Sequence, residues 1–203
     1  MTIVSRRILV PLLGESELAL ERAKSMAEIM AAHGAMVRVF RSVMGDNAGN
    51  IEILGRFTNF TEGAKVNAAI AQDPKSQKLW QEREKHPAAE VHGPYVYRMV
   101  FGEAAPKPVI MRRLYQVDRS NLKAALAMLP EAKAVIHKDT GMLAVIPVFA
   151  PEMDQLSITY YADSLEQMGQ NLDEYGVSDA FQAVVTKASQ YGKLLSSDVL
   201  VAV

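Results

Sequence analysis

Apolar and polar residues recur along the chain with two periods, and this pattern predicts strands and helices in a repeated order. In the first half, residues 6–13, 36–44, 51–58 and 94–101 are predicted strands, and residues 16–33 and 61–84 are predicted helices. Ser16 is the predicted cap of the first helix. Asp73-Pro74 predicts a break in the second helix, because Asp caps helices and Pro fits a first helical turn.

The second half of the chain repeats this order. Its predicted strands are 111–117, 142–149, 155–162 and 198–203, and its predicted helices are 121–138 and 164–191. Pro130 and the segment 176–179 break these helices. A shift of 106 residues, shortened to 104 after the hairpin of each half, aligns the two halves. The chain therefore divides into a first βαββαβ repeat (1–103), a linker (104–108) and a second repeat (109–203).

Several predicted strands are apolar on both faces, among them 36–40 and 95–101. A βαββαβ unit forms a four-stranded antiparallel sheet with its helices on one face, which is the ferredoxin-like arrangement. Strands that are apolar on both faces are covered on both sides. We therefore expect an α+β fold in which the sheets of two tandem ferredoxin-like repeats cover each other.

Composition narrows the function classes. The 203 residues carry a net charge of −1, and no Cys is present, which excludes disulfides and thiolate metal sites. Balanced charge argues against nucleic-acid binding, and no apolar run reaches the ~20 residues of a membrane helix. The run 6–13 resembles a weak signal peptide, but Pro11 interrupts it and no cleavage site follows. We expect a cytoplasmic protein without a metal site.

A short pattern in the first half resembles the dimeric α+β barrel superfamily, which includes antibiotic-biosynthesis-monooxygenase-like and NIPSNAP-like proteins. The pattern is Phe57-Thr-Asn-Phe60, Ala68-Ala69, Asp73-Pro74 and Leu79-Trp80. The resemblance implies a barrel of paired ferredoxin-like units, and in this chain a tandem member that builds the barrel from one polypeptide. It leaves the activity open, because the family includes cofactor-free oxygenases, haem-degrading enzymes and isomerases.

Haem degradation fits this sequence poorly. The haem-degrading members use an Asn on the first strand together with a Trp–His pair from the region of the second helix. Trp80 and His86 are present here, but residues 6–13 contain no Asn. No cofactor is therefore expected. Trp80 stays a candidate ligand contact, with core packing as its alternative.

Three arginines lie inside predicted strands of the first half: Arg38, Arg56 and Arg98. An Arg among apolar strand residues requires a partner. If these side chains share a face, they form a site for an anionic ligand. The alternative is that they pair with Glu52 and other acids, or extend to solvent.

His92 and Tyr97 are the candidate catalytic residues. His92 precedes the last predicted strand of the first half, and the intrinsic pKa of His suits a general base near neutral pH. Tyr97 lies on that strand, where a hydroxyl would orient an aromatic substrate. A solvated loop histidine and a core-filling tyrosine are the alternatives.

These residues lead to two functional hypotheses of different classes. The first is a cofactor-independent, monooxygenase-like enzyme that holds a small apolar or aromatic molecule between the sheet and helices of the first half. The second is a non-catalytic ligand-binding or stress-associated protein of the same fold; a filled barrel without a cavity is a third. A polar acid or base facing the cavity would favour the enzyme. The expected partner is a small molecule, and both a monomer and a homodimer of tandem chains are compatible with the sequence.

Overall fold

The computed structural model describes residues 2–203, and its strands close into one eight-stranded barrel. In chain order they are β1 (Ile3–Pro11), β2 (Met36–Met44), β3 (Ile51–Phe57), β4 (Ala89–Gly102), β5 (Val109–Gln116), β6 (Gly141–Phe149), β7 (Gln155–Ala162) and β8 (Lys193–Ala202). Around the barrel the order is β1-β3-β2-β8-β5-β7-β6-β4, and all neighbouring strands are antiparallel.

The helices follow the predicted order, with breaks where Pro and Gly indicate them. They are α1 (Ser16–Ala32), α2 (Phe60–Gln72), α3 (Pro74–Lys85), α4 (Leu122–Ala127), α5 (Leu129–Ala134), α6 (Leu165–Asn171) and α7 (Asp179–Ala188), with a π-helical turn over Leu172–Gly176. Asp73 caps α3 as predicted, because its carboxylate accepts a hydrogen bond from the Lys75 amide at 2.7 Å. The predicted Ser16 cap is wrong: Glu15 is the N-cap, its side chain makes no capping hydrogen bond, and Ser16 already lies in the first turn.

Each half of the barrel has the ferredoxin-like strand order, β4-β1-β3-β2 in the first and β8-β5-β7-β6 in the second. Pairing of β2 with β8 and of β4 with β6 joins the halves. Residues 103–108 connect β4 to β5 without helix or strand. The predicted α+β barrel of two ferredoxin-like units is therefore confirmed. The division into two domains at residues 104–108 stays a prediction. The strand pairs β2–β8 and β4–β6 hydrogen-bond the two halves into one barrel and do not mark a boundary.

The barrel wall separates two kinds of core. Outside the barrel, the helices pack against the sheet in one cluster per half, centred on Met30 and Ile51 in the first and on Met142 and Ala144 in the second. Inside the barrel lies a third cluster: Phe40, Ile110, Leu143, Tyr161 and Leu200. Side chains alternate between the two faces of a strand, so strands with a core on each side are apolar at most positions.

Strand register corrects the predicted alignment of the two halves. Ile3 of β1 lies opposite Phe57 of β3, and Val109 of β5 lies opposite Ala162 of β7. The first strands are thus 106 residues apart, as predicted, but the strands after the hairpins are 105 apart, and the predicted 104 is wrong by one. One residue matters, because a shift by one moves every side chain to the other face of the sheet.

Candidate functional site

A buried triad of charged side chains crosses the barrel interior. Glu52 of β3 accepts hydrogen bonds from Arg6 of β1 at 2.6 and 3.0 Å and from Arg112 of β5 at 2.6 and 2.7 Å. The Glu52 side chain is 0% exposed, and those of Arg6 and Arg112 are 16% and 8% exposed. Burial raises the pKa of Glu52, but the opposing attraction of Arg112 and Arg6 lowers it to about 2. The carboxylate therefore stays ionised, and it is fully occupied by its two partners.

A cavity of about 520 Å³ fills the rest of the barrel interior. Arg6, Arg38, Arg56 and Arg112 line it, and the lining residues include no Asp or Glu. Its remaining walls are mostly apolar, with hydroxyl groups from Tyr97, Ser157, Thr159 and Tyr161. The cavity is therefore apolar in bulk and positively charged at specific points.

Arg38 and Arg56 bring their charge to this cavity without a carboxylate partner. Arg38 donates to the backbone carbonyls of Lys107 at 2.7 Å and Ala105 at 3.4 Å, and its guanidinium lies 4.8 Å from the centre of the Phe40 ring. Arg56 contacts only the Met36 sulfur, at 2.9 Å. The ion pairs within residues 2–203 involve neither side chain. Pairing with Glu52, the alternative interpretation of these arginines, is wrong because Arg6 and Arg112 occupy that carboxylate.

The third predicted arginine lies on the other face of the sheet. Arg98 is opposite Ile3 and Ile146 in the strand register, and both isoleucines belong to the helix-packed cores. Tyr97, the preceding residue, lines the barrel cavity, and adjacent side chains of a strand point to opposite faces. Arg98 is therefore separated from Arg38 and Arg56 by the barrel wall.

The structure places the two catalytic candidates apart. Tyr97 is 8% exposed and lines the barrel cavity. His92 is 47% exposed, and its ring nitrogen lies 3.9 Å from Glu90 at the start of β4. Trp80 is half-buried on α3. Neither His92 nor Trp80 lines the barrel cavity or the cavity described next.

A second cavity, of about 480 Å³, lies between the sheet and the helices of the first half. Its walls come mainly from β1 and α2, with further residues from β4 and β6, and are largely apolar, with Phe57 and Phe60 among them. Its polar lining residues are Ser5, Arg7 and Asn67. This is the position where the sequence analysis expects a ligand, although the side chains named there do not line it.

Arg7 gives this sheet–helix cavity its charge. Its guanidinium contacts the Met30 sulfur at 3.1 Å, and the ion pairs within residues 2–203 do not include it. Burial lowers the pKa of Arg7, since a desolvated cation loses its hydration without gaining a counterion. Because a guanidinium stays protonated in proteins, the cavity holds an uncompensated positive charge.

The second half has an equivalent arginine in a different setting. Arg113 lies 106 residues after Arg7 and also faces the helices, but its guanidinium lies 5.9 Å from the Tyr160 ring and 5.8 Å from the Phe181 ring. The cavity beside it is about 40 Å³. Aromatic rings thus cover the second arginine, whereas the first faces open space.

Sequence reasoning missed Arg7, Arg6 and Arg112 as site residues. Arg6-Arg7 and Arg112-Arg113 are the double arginines that align under the 106-residue shift. In a strand, two adjacent side chains point to opposite faces, so each pair sends one charge into the barrel and one toward the helices. The repeated double arginine in the sequence could therefore have indicated two charged sites, one on each face of the sheet.

Metal-binding clusters and membrane-spanning helices are both missing from the part of the chain that the structure describes. Within 2–203, no cluster of three or more His, Asp or Glu side chains is arranged to hold a metal ion. In the same residues, every helix is too short or too polar to cross a bilayer.

Comparison with known proteins places the fold. No family model matches the sequence, and a sequence search of curated proteins finds no match. Among solved structures, a candidate monooxygenase from Fusobacterium nucleatum is similar with a TM-score of 0.66 at 7% identity, covering 99% of this chain and 92% of its own. An anthrone oxidase-like protein is similar with a TM-score of 0.63 at 12% identity, covering 100% and 91%.

The same fold also occurs in a protein of different activity. A chlorite dismutase from Candidatus Nitrospira defluvii is similar with a TM-score of 0.57 at 9% identity, covering 98% of this chain and 90% of its own. Likeness at this level of identity shows the fold and leaves function to the site. The protein has the dimeric α+β barrel fold, with both ferredoxin-like units in one chain.

Proposed function

We propose that this protein is a monooxygenase-like enzyme that binds a small, flat, acidic aromatic molecule in the sheet–helix cavity of the first half. The observation that carries the proposal is Arg7, a half-buried guanidinium without a carboxylate partner in a cavity of about 480 Å³ with largely apolar walls. An apolar site with few polar groups is the usual form of a small-molecule site. The single charge selects a ligand that is anionic or becomes so on binding.

The charge of Arg7 suits chemistry that begins with an enolate or phenolate. A nearby cation favours the ionised form of an acidic group and lowers its pKa, and this effect is larger where water is excluded. A ligand whose hydroxyl or enol lies against Arg7 is thus stabilised as its anion without a dedicated base. Phe57 and Phe60 provide apolar contact for its rings.

The enolate or phenolate anion carries electron density on carbon. A carbanion of this type reacts directly with dioxygen in the absence of a cofactor. For an anthrone, the ring CH₂ loses two hydrogens and gains one oxygen atom from O₂, and the second oxygen atom leaves with the two hydrogens as water. The fold neighbours described as a candidate monooxygenase and as anthrone oxidase-like support this reaction class. In this proposal Arg7 stabilises the anion, and Ser5 and Asn67 offer hydrogen bonds to it.

Ligand binding without turnover is the second candidate, and one observation favours it. The residues that line the sheet–helix cavity include no Asp, Glu or His, so proton removal rests on electrostatics alone. A binding protein needs no such group. The two candidates share the site and differ only in whether the bound anion is oxidised.

Anthrone is the probe that separates these functions. Oxygen uptake and anthraquinone formation are measured above the uncatalysed rate for the wild type, Arg7→Met, Arg7→Lys and the matched control Arg113→Met. The enzyme hypothesis expects roughly a hundredfold loss of rate in Arg7→Met, a smaller loss in Arg7→Lys, and a near-wild-type rate in Arg113→Met. Circular dichroism of each variant verifies that it is folded.

Each alternative result has a definite meaning. Saturable anthrone binding that depends on Arg7, with oxygen uptake no faster than without protein, establishes the binding function instead. Turnover or binding that is unchanged in Arg7→Met removes this cavity as the site.

A further inference from the structure

The barrel cavity is separate from the site proposed above, because it lies on the opposite face of the sheet. Arg6 and Arg7 are neighbours in β1, yet the first lines the barrel cavity and the second lines the sheet–helix cavity. At about 520 Å³ the barrel cavity is within the range of about 300–1,000 Å³ that is typical of small-molecule sites.

The charge around this cavity is unbalanced. Arg6 and Arg112 share the carboxylate of Glu52, and the buried Asp198, opposite Arg112 in the strand register, adds a second negative charge beside them. Arg38 and Arg56 add two more positive charges, and neither has a carboxylate within ion-pair distance among residues 2–203. Charges of one sign in a low-dielectric enclosure attract a ligand of the opposite sign.

Tyr161 lines the same cavity as Arg38 and Arg56. Burial raises the pKa of its hydroxyl to about 12, and the positive charges of Arg38 and Arg56 act against that rise. Both arginines are therefore close enough to the hydroxyl to influence it. Near neutral pH the hydroxyl stays protonated, so it can donate a hydrogen bond to the same anion that the guanidinium groups attract.

The charged and apolar parts of the cavity come from opposite walls. The strand register places Leu143 of β6 at the position equivalent to Arg38 of β2, and Tyr161 of β7 at the position equivalent to Arg56 of β3. Ile110 of β5 and Val145 of β6 extend the apolar wall. A ligand that fits both walls has one anionic end and an apolar body.

The connection between the halves lies at the entrance of this cavity. Ala104, Ala105 and Pro106 are among the lining residues, and Arg38 holds the connection through the carbonyls of Ala105 and Lys107. Arg56 is half-buried at the same end of the barrel, beside Met36, which is 51% exposed. An anion that enters there meets Arg56 first and Arg38 next.

From the placement of Arg38, Arg56 and Tyr161 around an apolar cavity, we infer that the barrel interior binds an organic carboxylate with an apolar body. The carboxylate accepts hydrogen bonds from the two guanidinium groups and from the Tyr161 hydroxyl. The apolar body lies against Ile110 and Leu143. The Arg6–Glu52–Arg112 triad forms the polar floor and makes no ion pair with the ligand, because both of its guanidinium groups already donate two hydrogen bonds to Glu52.

Isothermal titration calorimetry with 2-naphthoate and with its neutral isostere 2-naphthamide tests this inference. A ligand of this size is expected to bind with a Kd of about 1 mM or tighter, and the amide is expected to bind at least tenfold more weakly. Arg56→Met and Arg38→Met are each expected to weaken naphthoate binding by roughly 10- to 100-fold, which is the usual effect of removing a hydrogen bond to a charged group. Tyr161→Phe is expected to weaken it several-fold.

Two matched controls distinguish this site from the sheet–helix cavity and from general charge effects. Arg7→Met removes the charge of the other cavity, and Arg119→Met removes an exposed arginine outside both cavities. Arg119→Met is expected to bind naphthoate as the wild type does. Arg7→Met is expected to keep the binding that depends on Arg38 and Arg56, even where it removes a second binding event in the sheet–helix cavity. Loss of binding in Arg7→Met with retention in Arg56→Met would overturn the inference and assign carboxylate binding to the proposed enzyme site.

Two other results also overturn it. The first is equal affinity for naphthoate and naphthamide, which shows that the charge is not recognised. The second is the absence of binding heat up to about 10 mM ligand, roughly ten times the expected Kd, in a wild-type sample that is folded. Because anthrone turnover is measured on the Arg7 variants, failure of the barrel site and failure of the proposed function are observed independently.

Discussion

Replacing Glu52 by Gln tests the central polar element of the barrel. Each carboxylate oxygen of Glu52 accepts two N–H groups, one from Arg6 and one from Arg112, at 2.6 to 3.0 Å. In E52Q an amide nitrogen replaces one of these oxygens, so two donors lose their acceptor and face another donor. The two guanidinium groups then lose their paired carboxylate, and Asp198, opposite Arg112 in the strand register, is the acid that remains nearby. Breaking a buried ion pair in this way costs about 3–5 kcal/mol.

The pH dependence gives a second, independent estimate of the same effect. The ordinary pKa of Glu is 4.5, and the triad holds that of Glu52 at about 2. A carboxylate with a lowered native pKa contributes stability above its unfolded pKa and loses that stability as pH falls toward the native value. The contribution is about 3 kcal/mol at pH 7, and about 2 kcal/mol of it is lost by pH 3.

Chemical denaturation of the wild type and of E52Q at pH 7, 5, 4 and 3 measures both quantities. The difference in unfolding free energy is expected to be largest at pH 7 and to shrink below about pH 4.5. Glu131→Gln is the matched control, because Glu131 pairs with Lys187 on the surface, and both side chains are about half exposed (45% and 55%). That variant should unfold at the same denaturant concentration as the wild type. A loss below about 1 kcal/mol in E52Q, or a loss that does not shrink in acid, would refute the reasoning.

Backbone geometry and helix capping give two further predictions. Gly102 and Gly14 both have positive φ, but a Cβ on Gly102 would overlap the Met142 carbonyl oxygen, whereas a Cβ on Gly14 meets open space. Gly102→Ala should therefore lower the free energy of unfolding by about 2–4 kcal/mol and Gly14→Ala by about 1 kcal/mol, and equal losses in denaturation would contradict the overlap. Asn59 caps α2 by accepting a hydrogen bond from the Glu62 amide at 2.9 Å. Asn59→Ala should lower stability by about 1 kcal/mol, measured as a fall in Tm, and an unchanged Tm would show that the cap contributes nothing.

The order of elements was readable from the sequence because most strands and helices carry their own period. The ends of the strands were harder to predict from the sequence. β1 begins at Ile3 rather than at residue 6, and β8 begins at Lys193 rather than at 198. The early part of β8 is Lys-Leu-Leu-Ser-Ser, which is exposed or half-exposed along most of its length and pairs with the end of β5. Such a segment is a strand because it pairs with a neighbouring strand. Its own sequence of apolar and polar residues does not predict a strand.

The candidate site was partly predictable for a related reason. Arg38 and Arg56 stood out as charges among apolar strand residues, and the structure brings them to one cavity together with Tyr97. Arg98 met the same criterion but lies on the other face, because it follows Tyr97 in β4 and adjacent side chains point to opposite faces. Which positions of a strand face the interior depends on its pairing with the neighbouring strands, so one sequence does not reveal it.

The location of the charges could not be predicted for a further reason. From the sequence, one site between sheet and helices was expected to be lined by Tyr97, Arg38, Arg56, Trp80 and His92. A strand of a closed barrel presents two chemically separate surfaces, one to the helices and one to the interior. Arg6 and Arg7 are adjacent in sequence and serve different cavities. Assigning each arginine to its surface requires the register, which the 104-residue alignment misjudged by one.

The register also explains why the barrel interior keeps positive charge. Arg6 and Arg112 occupy equivalent positions of the two halves, so a symmetric barrel would place one carboxylate opposite each. Glu52 has Ser157 as its equivalent, since Glu52 lies opposite Ile8 and Ser157 lies opposite Leu114. Two arginines therefore share the Glu52 carboxylate, and Asp198, opposite Arg112 in the register, is a second buried acid beside them. The first half adds Arg38 and Arg56 where the second has Leu143 and Tyr161. Asymmetry between equivalent positions thus creates a charged wall opposite an apolar wall, and it is this arrangement that favours a ligand with one anionic end.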